Sequence, residues 1–225
     1  MGQRSQIYFR CNNENGKYAL VARYYQWNYG TRMVSRARHT LEWLESMKCY
    51  PYFFCSMTPN ENLTKLARIM DVNFDYHDVV LSIDIIKEFE NGYYDDSEAM
   101  FTGQDNNDGQ LLIDMIVDWR RKDKKGEYPV KFKYAFLNWN SELIGNGEDY
   151  MQWNENYGDE GPAWRDSEYI QKEIKYTERN IRYLDKHATL MTADEVKEFI
   201  SHDYVKDMGL EVKNDQQMAD KEETT

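Results

Sequence analysis

The amino-acid sequence predicts an α+β domain: a largely antiparallel sheet of about five or six strands with helices packed on one face. Three observations carry this reading. Runs with period-two alternation, rich in β-branched and aromatic residues, recur along the chain. Between them lie segments whose apolar residues recur at helical spacing behind capping signals. Asn- and Gly-rich turns separate the two kinds of segment. The expected order is ββ-α-α-β-ββ-β-α-α, with a single domain over residues 1–208 and a disordered acidic C-terminal tail over 209–225.

The first elements fall between Gln6 and Leu44. Ile7 and Phe9 alternate with Tyr8 and Arg10, and Asn12-Asn13-Glu14-Asn15-Gly16 supplies a hairpin turn. A second strand follows, with Leu20, Ala22 and Tyr24 on one face and Val21, Arg23 and Tyr25 on the other. Gly30 frees the backbone, and Thr31 is placed to cap a helix with Val34, Ala37, Leu41 and Leu44 as its apolar stripe. Arg32, Arg36 and Arg38 fall mostly off that stripe.

Residues 49–54 form an apolar connection over an edge of the sheet. Thr58-Pro59-Asn60-Glu61 is a capping box opening a short helix lined by Leu63, Leu66 and Met70. In 77–89, β-branched density favours a strand. A weaker strand over 99–104 leads through the turn Asp105-Asn106-Asn107-Asp108-Gly109 into a firm one, Leu111 to Val117. Residues 122–126 form an exposed loop. Val130, Phe132, Tyr134 and Phe136 then oppose Lys131, Lys133 and Ala135 in the cleanest strand. From 140 to 162 runs a long acidic loop carrying Tyr150, Trp153 and Tyr157. A long helix spans 166–186, and the capping box from Thr192 to Glu195 opens a shorter one reaching about His202.

The N-terminal segments QIYFR, ARYYQWNYG and RMVSRAR resemble a family of uncharacterised small proteins of Gram-positive bacteria and their phages, over roughly the first fifth of the chain. The resemblance implies a bacterial or phage setting; no catalytic residue carries over from it.

Composition narrows the function classes. The 225 residues suffice for one substantial core, and 15% aromatic content argues against disorder of the whole chain. The net charge of −12 is unevenly spread. Residues 1–40 hold seven Lys or Arg against the single Glu14, whereas 71–118 hold thirteen Asp or Glu against the single Lys87. That balance argues against a global affinity for nucleic acid and fits a partner with a basic surface. Cys11, Cys49 and Cys55 make an odd count without framework spacing, as suits a reducing cytoplasm. The N-terminal residues lack the apolar run of a signal peptide and no stretch approaches ~20 apolar residues, so no membrane contact is expected.

Motifs for chemistry are sparse. The histidines share no ligand spacing with the cysteines, and the DNNDG turn lacks both end carboxylates of a calcium loop, so no metal and no cofactor is expected. There is no nucleophile elbow and no phosphate-binding glycine loop. One candidate polar pocket remains, made of Arg10, Arg23, Asp84 and Asp114. Converging, they would hold Mg²⁺ and a phosphate; apart, they are solvent-facing residues or structural pairs.

Three function classes follow. The leading one is a non-enzymatic acidic interaction protein, a phage or prophage accessory factor that binds a host defence or nucleic-acid-binding protein. Its candidate binding residues are Tyr25, Trp27, Asn28 and Tyr29 in the aromatic cluster, Asp95, Asp96 and Glu98 in the acidic middle, and Trp153. It makes no direct nucleic-acid contact. The alternative is a small metal-dependent phosphoesterase or nucleotide-binding enzyme using the polar pocket. A homo-oligomer built through Tyr24–Tyr29 is a third, weaker reading.

Overall fold

A computed structural model of the chain describes residues 4–54, 61–73, 78–79, 82–103, 105–157 and 168–212. The first hairpin pairs β1 (Arg4–Asn12) with β2 (Tyr18–Gln26), antiparallel and in unbroken register from Arg4 opposite Gln26 to Asn12 opposite Tyr18. β1 also pairs, in parallel, with β6 (Gln110–Val117), which makes the hairpin's first strand central. β6 continues antiparallel to β7 (Val130–Leu137), which takes β8 (Leu143–Gly145) on its far side and, in parallel, the short β9 (Thr189–Leu190). β5 (Ser82–Asp84) closes the other edge against β2. The seven-stranded sheet therefore runs β5-β2-β1-β6-β7-β8, with β9 beside β7, and is mostly antiparallel within a mixed α+β fold. A separate ribbon pairs β3 (Val72–Asn73) with β4 (Asp78–Val79).

Strand alternation divides the core in two. Ile7, Phe9, Val21, Ile113, Phe132, Tyr134 and Phe136 face the longer helices: α1 (Gly30–Met47), α2 (Glu61–Asp71), α5 (Gly147–Tyr157) and α6 (Glu168–His187). Tyr8, Leu20, Ala22, Leu112, Ala135 and Leu137 face the opposite way. They are covered by the short helices α3 (Ile85–Glu90), α4 (Ala99–Thr102), α7 (Ala193–Ser201) and α8 (Tyr204–Met208). The sequence places helices on one face of the sheet only; of this second layer it anticipates α7, through the Thr192 capping box, whereas α3, α4 and α8 are too short to show a period. Two specific bonds seat α4: the Tyr8 hydroxyl donates to Met100 O (2.8 Å), and Gln110 Nε2 donates to Phe101 O (2.7 Å).

Several local expectations change. Residues 85–90 form a helix where a strand is expected, because the Asp84 carboxylate accepts from Ile86 N (3.1 Å) and caps it. Ile85 and Phe89 then fall on one buried face. Residues 99–102 are likewise helical. Part of the expected long loop is β8 and α5, opened by Asn146 Oδ1 accepting from Glu148 N and Asp149 N. The residue at the start of α1 is Tyr29 rather than Thr31, without a side-chain cap. Arg36, expected off the apolar stripe, is fully buried. Thr58 and Pro59, and residues 213–225 of the expected tail, lie outside the described residues. No helix among the described residues is long and apolar enough to cross a membrane.

Candidate functional site

Sheet register decides which polar side chains meet. Arg10 on β1 and Asp114 on β6 are register partners, and Lys133 on β7 is the next residue across. Arg10 Nη2 donates to Asp114 at 2.8 Å and to Glu198 of α7 at 2.6 Å, while Nη1 reaches the Tyr204 hydroxyl at 3.4 Å. Its guanidinium carbon also lies 4.3 Å from the Tyr18 ring centroid and 4.4 Å from that of Phe199. Arg10 and Asp114 are each 3% exposed, so this pair has given up its hydration. Burial pushes the Asp114 carboxyl above its ordinary value, with Arg10 pulling the other way.

The C-terminal helices close over that pair. His202 Nε2 lies 2.7 Å from Asp207, whose carboxylate also accepts the Tyr18 backbone N–H at 2.8 Å. The His202 ring packs edge-on to Tyr18 at 4.8 Å. Lys133 pairs with Glu195, the residue that completes the Thr192 capping box. Sequence reading did not anticipate Tyr18, Glu198 or Tyr204 as partners of Arg10. The hairpin register brings Tyr18 beside Arg10, two residues from its partner Leu20, whereas Glu198 and Tyr204 lie 188 and 194 positions away and only the docking of α7 and α8 brings them in.

Arg23 belongs to a second network. It is the register partner of Ile7, on the face of the longer helices, whereas Arg10 opposite Leu20 lies on the other face. Arg23 bonds Asp84 (3.3 Å), Asp71 of α2 (3.1 Å) and the Ser82 hydroxyl. The four residues of the candidate pocket therefore form two separate pairs, Arg10–Asp114 and Arg23–Asp84, and do not converge. Alternation around the sheet forbids it. Asp84 and Asp114 cannot share a metal ion, and among the described residues no group of three His, Cys, Asp or Glu is placed to hold one.

The aromatic cluster is mostly interior. Tyr25 is 0% exposed, under the Arg36 guanidinium at 4.9 Å. Asn28 is also 0% exposed: its amide donates to Ser5 Oγ (3.0 Å) and accepts from Arg36 Nε (3.1 Å). Tyr29 is half-buried at the start of α1. Only Trp27, 58% exposed and with φ of 61°, presents a broad face to solvent. Trp153 is half-buried, tilted against Trp139 at 5.3 Å and Tyr150 at 5.9 Å.

The acidic residues stand differently. Asp95, Asp96 and Glu98 are exposed on the connection from α3 to α4, next to Tyr93, which is 69% exposed. This ledge is held in shape. Tyr93 N donates to Glu88 O (3.1 Å), Asp96 Oδ1 accepts from Ala99 N (2.8 Å), and the buried Ser97 hydroxyl accepts from Val205 N (3.0 Å). Chemically it offers three exposed carboxylates and one exposed amphipathic ring within six residues of chain, already ordered before any partner arrives.

No family model, no curated protein and no solved structure matches the chain.

Proposed function

We propose that this chain is a non-enzymatic interaction protein, a phage or prophage accessory factor of Gram-positive bacteria, whose acidic ledge docks on the basic surface of a host protein. The observation that carries the reading is Tyr93, 69% exposed among Asp95, Asp96 and Glu98 on a hydrogen-bonded connection. An exposed tyrosine with three exposed carboxylates in the next five residues suits a lysine- or arginine-lined groove. The ring supplies buried area and the charges supply steering and register. A host nuclease or another nucleic-acid-binding protein has such a groove. Homo-oligomerisation through the aromatic cluster would rest on Trp27 and Tyr29, because Tyr25 and Asn28 are buried. A phosphoesterase built on Asp84 and Asp114 would need both carboxylates at one site, and they belong to separate networks.

The test is affinity capture from lysate of a Gram-positive host by the wild-type chain and by the triple variant Asp95→Lys, Asp96→Lys, Glu98→Lys. The expected result is one stoichiometric partner, retained at low salt, released at high salt and absent with the variant. A complex indifferent to both salt and charge reversal would overturn the acidic ledge as the binding face.

A further inference from the structure

One end of the sheet carries a local excess of cations in this acidic chain. β1 and β6 run parallel, so the hairpin tip after Asn12 and the connection from β6 to β7 emerge side by side. Asn12 locks them together: its amide donates to Val117 O (3.0 Å) and accepts from Val117 N (2.7 Å), and its own carbonyl accepts from Trp119 Nε1 (3.0 Å). Between Asp118 and Lys131 six Lys or Arg stand against three Asp or Glu. Two of those acids are already engaged. Asp118 pairs with both Arg120 and Arg121, and Asp123 accepts from the backbone amides of Lys125 and Glu127, which holds its carboxyl below the ordinary value. Lys122, Lys124, Lys125 and Lys131 are exposed.

Aromatic rings stand beside these cations. Trp119 and Tyr128 lie 4.8 Å apart, and Tyr52 packs on both, at 4.8 and 5.7 Å, with its hydroxyl 3.0 Å from that of Tyr128. Tyr52 keeps 57% of its surface open. Between the Asn12–Gly16 tip and the roots of the connection runs a groove of about 410 Å³, bordered by Arg120, Arg121 and Lys131 against Glu14 and Asp118.

We infer that this end is a binding surface for single-stranded nucleic acid, with phosphates along the Arg120–Lys125 arm and Lys131, and a base stacked on Tyr52. Stacking platforms flanked by cations are what a single strand needs, since each base exposes a π-face and each linkage a charge. The surface goes beyond the acidic ledge and is independent of it. It also departs from the expectation, drawn from net charge, that the chain avoids nucleic acid. Repulsion from the remaining acids is screened beyond about 8 Å at physiological salt, so a local basic arm acts on its own. A duplex offers no unstacked base to Tyr52. An anionic membrane fits less well, because the arm from Asp118 to Tyr128 carries no aliphatic side chain to insert.

The experiment is fluorescence anisotropy of a labelled short oligothymidine with the full chain at about 50 and about 200 mM salt. Wild type should bind at the lower salt. If about four phosphates are neutralised, the slope of log affinity against log salt should be close to −3. Tyr52→Ser and the triple variant Lys122→Glu, Lys124→Glu, Lys125→Glu should each lose about tenfold or more at an unchanged melting temperature. Charge reversal of Asp95, Asp96 and Glu98 should not weaken binding, which separates this surface from the ledge. Any one of the following overturns the inference: no binding at the lower salt, equal binding of the duplex or of heparin, preferential binding of anionic vesicles, or Tyr52→Ser without effect.

Discussion

Arg10 and Asp114 face each other across the parallel pair β1–β6, 2.8 Å apart, in a cage closed by Tyr18, Phe199 and Tyr204. A buried ion pair of this kind adds little net stability, yet leaving either partner alone is costly. Arg10→Met should therefore destabilise by about 3–5 kcal/mol in urea unfolding. The double variant Arg10→Met, Asp114→Leu should recover most of that loss. The loss should also depend on pH. A carboxyl whose folded pKa is raised adds stability below its unfolded value and loses it as pH rises through the folded value. Burial already raises Asp114, and removing Arg10 removes the opposing pull. The single variant should thus lie nearer wild type at about pH 5 than at about pH 8.

Glu195 titrates in the opposite sense. The Lys133 hydrogen bond, then the Thr192 backbone, hold its carboxyl below the ordinary value. Such a group contributes stability above its unfolded pKa, and the contribution disappears as pH falls through the lowered one. Glu195→Gln should cost about 0.5–1 kcal/mol at neutral pH, since solvent screens a partly exposed pair. The gap from wild type should shrink toward zero in acid, as read from melting temperature against pH.

Gly109 holds φ of 82° just before β6, and a Cβ there would sit 2.3 Å from the Leu137 carbonyl oxygen. Backbone cannot move aside as a side chain can. Gly109→Ala should destabilise by about 2–3 kcal/mol, combining left-handed strain with the clash. Gly16, also at positive φ, has open space around its Cα, so Gly16→Ala should cost less, about 1 kcal/mol. Thermal unfolding of the two variants side by side checks the difference.

Trp27 and Asn28 are neighbours with opposite roles. Trp27 is exposed in a left-handed conformation, so Trp27→Gly should be neutral or stabilising by up to about 1 kcal/mol. Asn28→Ala strips partners from Ser5 and Arg36 in the interior and should cost about 2–3 kcal/mol. Chemical denaturation of both variants separates a surface aromatic from a core polar pin.

The elements with long, regular patterns are legible in the sequence alone. The hairpin, the α1 stripe through Val34, Ala37, Leu41 and Leu44, the alternation of β7 and the Thr192 capping box all stand as expected. Short elements are not. Residues 85–90 and 99–102 turn helical because a cap at Asp84 and contacts from Tyr8 and Gln110 outweigh β-propensity over so few residues.

The candidate sites divide the same way. Charge and exposure of Asp95, Asp96 and Glu98 follow from local polarity. Burial of Tyr25, Asn28 and Arg36 does not, since a hydrogen-bonded interior polar group looks in sequence like any surface one.

Sequence by itself determined the class of the fold, its principal strands and helices, and the lopsided charge, because each depends on periodicity or composition within a short window. Tertiary structure alone decided that Arg10 meets Asp114 while Arg23 meets Asp84 on the other face, and that the basic β6–β7 arm lies beside the Asn12 hairpin. Those relationships depend on strand order and on the parallel β1–β6 pairing, which joins residues about a hundred positions apart and leaves no local trace.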